Sequence, residues 1–169
     1  KIVELNKPVA KDKEVLIKIM ATAVNSGDVR VRGLVVSGFL RVIMRLVLGF
    51  NKPRKQVLGT VLSGVVESVG GKVTTFKVGD EVYAMTGFKF GTYAEYITLN
   101  QDSPIALKPS NASFEEAAAI PFGGSTAIYF LNKAKIEKKD NQKVLIYGAT
   151  GAVGVAAVQI AKYHGSTVT

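Results

Sequence analysis

The 169-residue chain has no cysteine and a single histidine. Without cysteine there is no disulfide, no thiolate nucleophile and no Cys-ligated metal, which fits a reducing compartment. One histidine without cysteines cannot make the usual closed or catalytic zinc sets, so no metal is expected. That residue, His164, precedes Gly165 at the end of an expected helix, where a cation suits the helix dipole. Acidic residues are also few: 13 against 22 lysines and arginines, a formal charge of +9. Two patches carry much of it, residues 51–55 and the five lysines from Lys133 to Lys143. Such patches are ordinarily solvated surface, with attraction of an anionic ligand as the functional alternative. No basic–aromatic interleaving marks a nucleic-acid module, so no nucleic-acid partner is expected. Internal repeats, low-complexity tracts and a visible signal peptide are lacking as well.

Long uninterrupted hydrophobic runs are missing too. The most apolar stretch, residues 34–50, contains Arg41 and Arg45 and is barely long enough to span a bilayer. Within it Leu40, Ile43, Met44, Val47 and Leu48 recur at helical spacing, with both arginines elsewhere on the wheel. That pattern predicts an amphipathic helix. Packing on the protein's own core, covering a substrate cleft and docking on a membrane surface are its three readings. A cleft cover is expected here, and no membrane partner.

What the chain does contain is concentrated in residues 143–169. An apolar run at 144–147 reads as a strand buried on both faces. Gly148, Gly151 and Gly154 follow, then an apolar helix (Val153, Ala157, Ile160, Ala161) that stops at Gly165. Glycines let the backbone approach a diphosphate, and a helix start offers unpaired N–H groups with partial positive charge. The turn Gly148-Ala149-Thr150-Gly151-Ala152-Val153-Gly154 is therefore the expected dinucleotide site, with a strand–helix turn of a sheet protein that binds nothing as the plainer reading. A residue that sorts NAD from NADP lies roughly 20 positions past the first glycine, close to Thr169, where the sequence stops. It also starts at Lys1, without Met. The expectation is the observed part of a longer protein.

Before residue 120 the pattern is β, with strands expected at 14–23, 61–69, 73–76, 81–85 and 92–99 between glycine turns. Many short strands of this kind suggest a partly closed barrel. Ser113 is placed as an N-cap with Glu116 completing a capping box, Pro121 as the end of that helix, and Gly123-Gly124 as the start of the next. The expected domains are 1–121 and 122–169, with a fold of the α/β class that has a β-rich part.

Four stretches carry a family resemblance. They are Ala23-Val24-Asn25-Ser26-Gly27-Asp28, residues 64–70 running on to Phe76-Lys77-Val78-Gly79-Asp80-Glu81-Val82, Gly91-Thr92-Tyr93-Ala94-Glu95-Tyr96, and Glu115-Glu116-Ala117-Ala118-Ala119-Ile120-Pro121. In this order they resemble the medium-chain dehydrogenase/reductase superfamily, and within it the zinc-independent quinone oxidoreductase branch. The resemblance implies a GroES-like, partly open β-barrel domain followed by the first βαβ portion of a Rossmann domain. It implies hydride transfer from NADPH (NADH being possible) to a small hydrophobic carbonyl, enone or quinone substrate, in a cytoplasmic protein that is a homodimer when full length. It places Asn25 near the nicotinamide and Thr126 facing the cofactor, as catalytic and cofactor-binding residues. Each also has a plainer reading: Asn25 and Asp28 suit a turn, and Thr126 suits a helix interior. Where the zinc-dependent branch has Cys and a His-Glu pair, this chain has Ser26, Thr60 and Val61, and no cysteine-rich loop stands between Met85 and Gly91. Zinc-free relatives often keep an acid at Val61, and the 34–55 insertion is longer than in many of them. A non-catalytic NADPH-binding relative with a structural or membrane-associated role is the alternative.

Overall fold

The computed structural model describes residues 2–33, 38, 56–138 and 141–169. The expected helix at 34–50 and the 34–55 insertion lie outside the described residues, apart from Gly38. The chain divides into two compact units, Lys1–Ala118 and Ala119–Thr169.

The first unit is built on β1 (Glu14–Ala21), β2 (Val61–Val69), β3 (Glu81–Met85), β4 (Tyr96–Asn100) and β5 (Ile105–Leu107). They form one antiparallel sheet in the order β4-β1-β2-β3-β5, which does not close into a barrel. Val15, Ile17, Leu62, Val66, Phe76, Val82, Ala84, Ile97 and Leu99 make its buried core, with Ile19, Val69, Val73 and Ile105 packed around them. A Cβ on Gly64 would lie 2.2 Å from the Lys18 carbonyl oxygen, so glycine lets β2 approach β1 where their register shifts. Val61 is 1% exposed and belongs to this core. An acid at that position would need a partner inside apolar packing. A short helix α1 (Ser26–Gly33) follows β1.

Two strand expectations change. Residues 73–76 form no strand, although Phe76 and Val73 still join the core. The alternating segment 92–99 becomes regular only from Tyr96. Upstream, Thr92 and Tyr93 donate their N–H groups to the carbonyls of Gly59 and Leu58, and Ile19 donates to Glu95. That diversion aims Thr92 and Tyr93 at Gly59 instead of along the sheet.

Helix α2 (Phe114–Lys133) opens on the expected capping box: Glu116 N–H donates to Ser113 Oγ at 3.2 Å, and Ser113 N–H to Glu116 Oε2 at 2.8 Å. Pro121 does not end it, and Gly123 does not start another helix; one helix runs through both. Proline's fixed φ is helical; in a helix interior it costs one backbone hydrogen bond and crowds the carbonyl four residues back, which kinks or breaks a helix and here does not break it.

In the second unit β6 (Lys143–Val144) and β7 (Thr167–Val168) pair in parallel around α3 (Ala152–Tyr163), a βαβ unit. Leu131, Ile136 and Ala161 form its buried cluster, with Val144, Ile146, Ala157, Ile160 and Val168 against it. Within these 169 residues the strand is covered on one face. Val144 and Ile146 face α3, while Leu145 is 79% and Tyr147 fully exposed on the other side. His164 caps α3, donating its N–H to Ile160 O, with Glu137 3.8 Å from its Nε2. No helix among the described residues is long and apolar enough to cross a membrane.

Candidate functional site

Each unit contributes one candidate site. In the first, the sequence Asn25-Ser26-Gly27-Asp28 makes the opening turn of α1. Asn25 Oδ1 accepts the N–H groups of Gly27 (2.8 Å) and Asp28 (3.2 Å), and Asp28 Oδ2 accepts the N–H of Asn25 (3.1 Å). This is a reciprocal cap with Asn and Asp in the two roles, and such caps are worth about 1 kcal/mol. The turn reading of both residues is therefore real. It also has a chemical consequence. With Oδ1 committed to two donors, the amide orientation is fixed and Nδ2 must point outward. It donates to Thr60 Oγ1 at 2.8 Å. Thr60, having accepted that bond, keeps its own hydroxyl hydrogen, and Asn25 Nδ2 keeps its second one.

Around this pair the neighbours are fixed tightly. Gly59 adopts φ +90°, and a Cβ there would fall 2.2 Å from Thr92 Oγ1 and 2.6 Å from the Tyr93 ring. Thr92 is fully buried, and its hydroxyl lies 3.1 Å from that of Thr22, which donates to Val61 O at 2.7 Å. Asp28 is 3% exposed, and its Oδ1 has no hydrogen-bond partner among the described residues. Burial, and then the facing Asp28 carboxylate, push the Tyr93 phenol up to about 12, against a smaller downward pull from Arg32. Thr60, Thr92 and Tyr93 were not singled out as site residues in the sequence. Gly59 preceding Thr60 is the local signal that could have pointed to them.

The second site is the glycine turn. Gly148 has φ +78°, Gly151 caps α3 in an extended conformation without a side-chain cap, and the first helical bond runs from Val155 N–H to Gly151 O. The N–H groups of Ala152, Val153 and Gly154 thus precede the helical ladder. The three glycines have different duties. A Cβ on Gly154 would sit 2.2 Å from Gly148 O, so this glycine brings α3 against the turn. On Gly151 a Cβ would meet only Gly148 O, at 3.6 Å, so no protein group requires a glycine there. Gly123, expected only as a helix start, packs its α-carbon against Ala152: a Cβ would be 2.5 Å from Ala152 O. Thr126 stands inside α2 and donates its hydroxyl to Phe122 O at 2.8 Å, as its helix-interior reading has it. Asn25 and Thr126 belong to different units. No group of three or more His, Cys, Asp or Glu side chains that could hold a metal occurs among the described residues.

An antiparallel sheet with a capped Asn-x-x-Asp turn is thus followed along the chain by a βαβ unit with a glycine turn. The chain belongs to the alcohol dehydrogenase GroES-like domain family, whose pattern it matches over residues 11–110, within the medium-chain dehydrogenase/reductase superfamily. It is 37% identical over 163 residues to the 2-methylene-furan-3-one reductase of Solanum lycopersicum, covering 92% of this chain and 38% of that protein. The quinone oxidoreductase structure from Coxiella burnetii superposes with a TM-score of 0.81 at 35% identity, over 99% of this chain and 50% of that one. The Escherichia coli quinone oxidoreductase in complex with NADPH gives a TM-score of 0.76 at 29% identity, over 98% and 46%. The chain thus spans half or less of the length of these relatives.

Proposed function

We propose that this chain carries the substrate-orienting turn and the diphosphate-binding turn of an NADPH-dependent, zinc-independent oxidoreductase that reduces quinones, enones or related small hydrophobic carbonyl compounds. The observation that carries the reading is Gly151, a glycine that the packing of the protein does not require but that a diphosphate beside the start of α3 does. The turn suits the cofactor: residues 148–152 are exposed, and the N–H groups at the start of α3, which precede the helical ladder, suit phosphate oxygens. NADPH, when bound, supplies the hydride. As a carbonyl or quinone substrate is reduced, negative charge develops on its oxygen. The second N–H of Asn25 and the hydroxyl of Thr60 are the donors this chain offers to that charge, in place of a metal. Both are held in position before any substrate arrives, which is where such donors gain their effect. The similarity to quinone and furanone reductases and to an NADPH complex supports this substrate class and cofactor. A homodimer of the full-length protein completes the proposal.

Two outcomes follow. The full-length protein is expected to give a higher kcat/KM with NADPH than with NADH, since a basic surface favours the extra phosphate; equal values would contradict this. Exhaustive chelation is expected to leave activity unchanged and the purified protein is expected to hold no stoichiometric zinc. Loss of turnover on chelation, restored by zinc, would refute a donor-based site.

A further inference from the structure

We propose that Tyr93 is a positioning residue of the substrate site: its phenol, which makes no hydrogen bond to Asp28 in this structure, closes onto the unpartnered Oδ1 of Asp28 in the working enzyme and thereby fixes the turn from which Asn25 holds Thr60. The inference rests on the functional reading above and concerns a residue outside the catalytic pair. Four observations converge on it. Asp28 is buried with one carboxylate oxygen lacking a partner among the described residues, a costly state for an ionised group. The other oxygen, Oδ2, accepts the N–H of Asn25, so movement of this carboxylate is movement of the Asn25 cap. Tyr93 is seated on Gly59, the residue before Thr60, and tied there by its N–H to Leu58 O at 2.9 Å. Its phenol is also the group that responds to Asp28: of the charged side chains that face it, Asp28 raises it and Arg32 lowers it. A single bond from Tyr93 to Asp28 would then join the two segments, 25–28 and 58–60, that carry the donors. Thr60 and Asn25 need that registry because their mutual 2.8 Å bond sets where both remaining hydrogens point.

The test uses the full-length protein with Tyr93→Phe, Asp28→Asn and the double variant. By NMR of ring-labelled tyrosine, Asp28→Asn is expected to bring the Tyr93 titration down from about 12, leaving the part due to burial. Tyr93→Phe keeps the ring against Gly59 and removes only the hydroxyl. It is expected to lower kcat with an enone roughly tenfold, the scale of a misplaced donor, with NADPH affinity unchanged. The double variant is expected to lose no more than the worse single one, since both break one link. A Tyr93 titration indifferent to Asp28, or losses that multiply, overturns the proposal. So does a fall in melting temperature with kcat intact, which makes Tyr93 merely structural. If Asp28→Asn does not fold, the split between kcat and NADPH affinity in Tyr93→Phe decides alone. Wild-type protein without turnover, but with the titration shift present, overturns the functional reading and the positioning role while leaving the Tyr93–Asp28 link standing.

Discussion

Replacing Gly154 with alanine is expected to destabilise the glycine-turn unit by about 1–3 kcal/mol or more, a large share of the roughly 5–15 kcal/mol that holds a domain together. The added Cβ would lie 2.2 Å from Gly148 O and 2.7 Å from Ala149 Cα. Both are backbone atoms of the turn, so no side chain can swing aside. Either α3 lifts off the turn, losing the packing of Ala157, Ile160 and Ala161 on Val144 and Ile146, or the turn itself is rebuilt. Denaturant unfolding of the variant against the parent measures the effect. A midpoint equal to the parent's would mean that α3 does not approach the turn this closely.

Gly151→Val is expected to do the reverse: spare the fold and cost the cofactor. Gly151 has φ −78° and ψ 162°, extended backbone that valine adopts readily, and the nearest atom to a new Cβ is 3.6 Å away. The branched side chain would instead occupy the outer surface of the turn, where the diphosphate must reach the N–H groups of α3. Affinity of the full-length protein for NADPH is expected to fall tenfold or more, on the order of 1.4 kcal/mol. Calorimetric titration and thermal melting of the same sample separate the two effects. Unchanged affinity in a folded variant would place the diphosphate elsewhere.

Both substitutions touch a motif that was legible in the sequence, because its logic is local. A strand, three spaced glycines and a helix follow one another between Lys143 and Tyr163, and the capping box of α2 lies within three residues. The different duties of Gly151 and Gly154 were not legible, since they depend on how far α3 stands from the turn. Local rules also misled. Pro121 reads as a stop, yet α2 continues to Lys133. Asn25 was legible as a turn residue and, through family resemblance, as a site residue. Its bond to Thr60 spans 35 positions and arises only once β2 lies beside β1. Tyr93 was hidden for a similar reason: alternation assigns it to a strand, whereas the chain diverts there and seats its ring on Gly59.

The central claim is that these donors and this turn serve catalysis, and the most direct test is steady-state oxidation of NADPH by the metal-free, full-length protein with a panel of quinones and enones. Saturable turnover with at least one of them, reduced in the same preparation by Asn25→Ala and by Gly151→Val, is the predicted result. NADPH that binds tightly to the folded protein and is never consumed, whatever acceptor is supplied, would contradict it and make the protein a non-catalytic binder of the nucleotide.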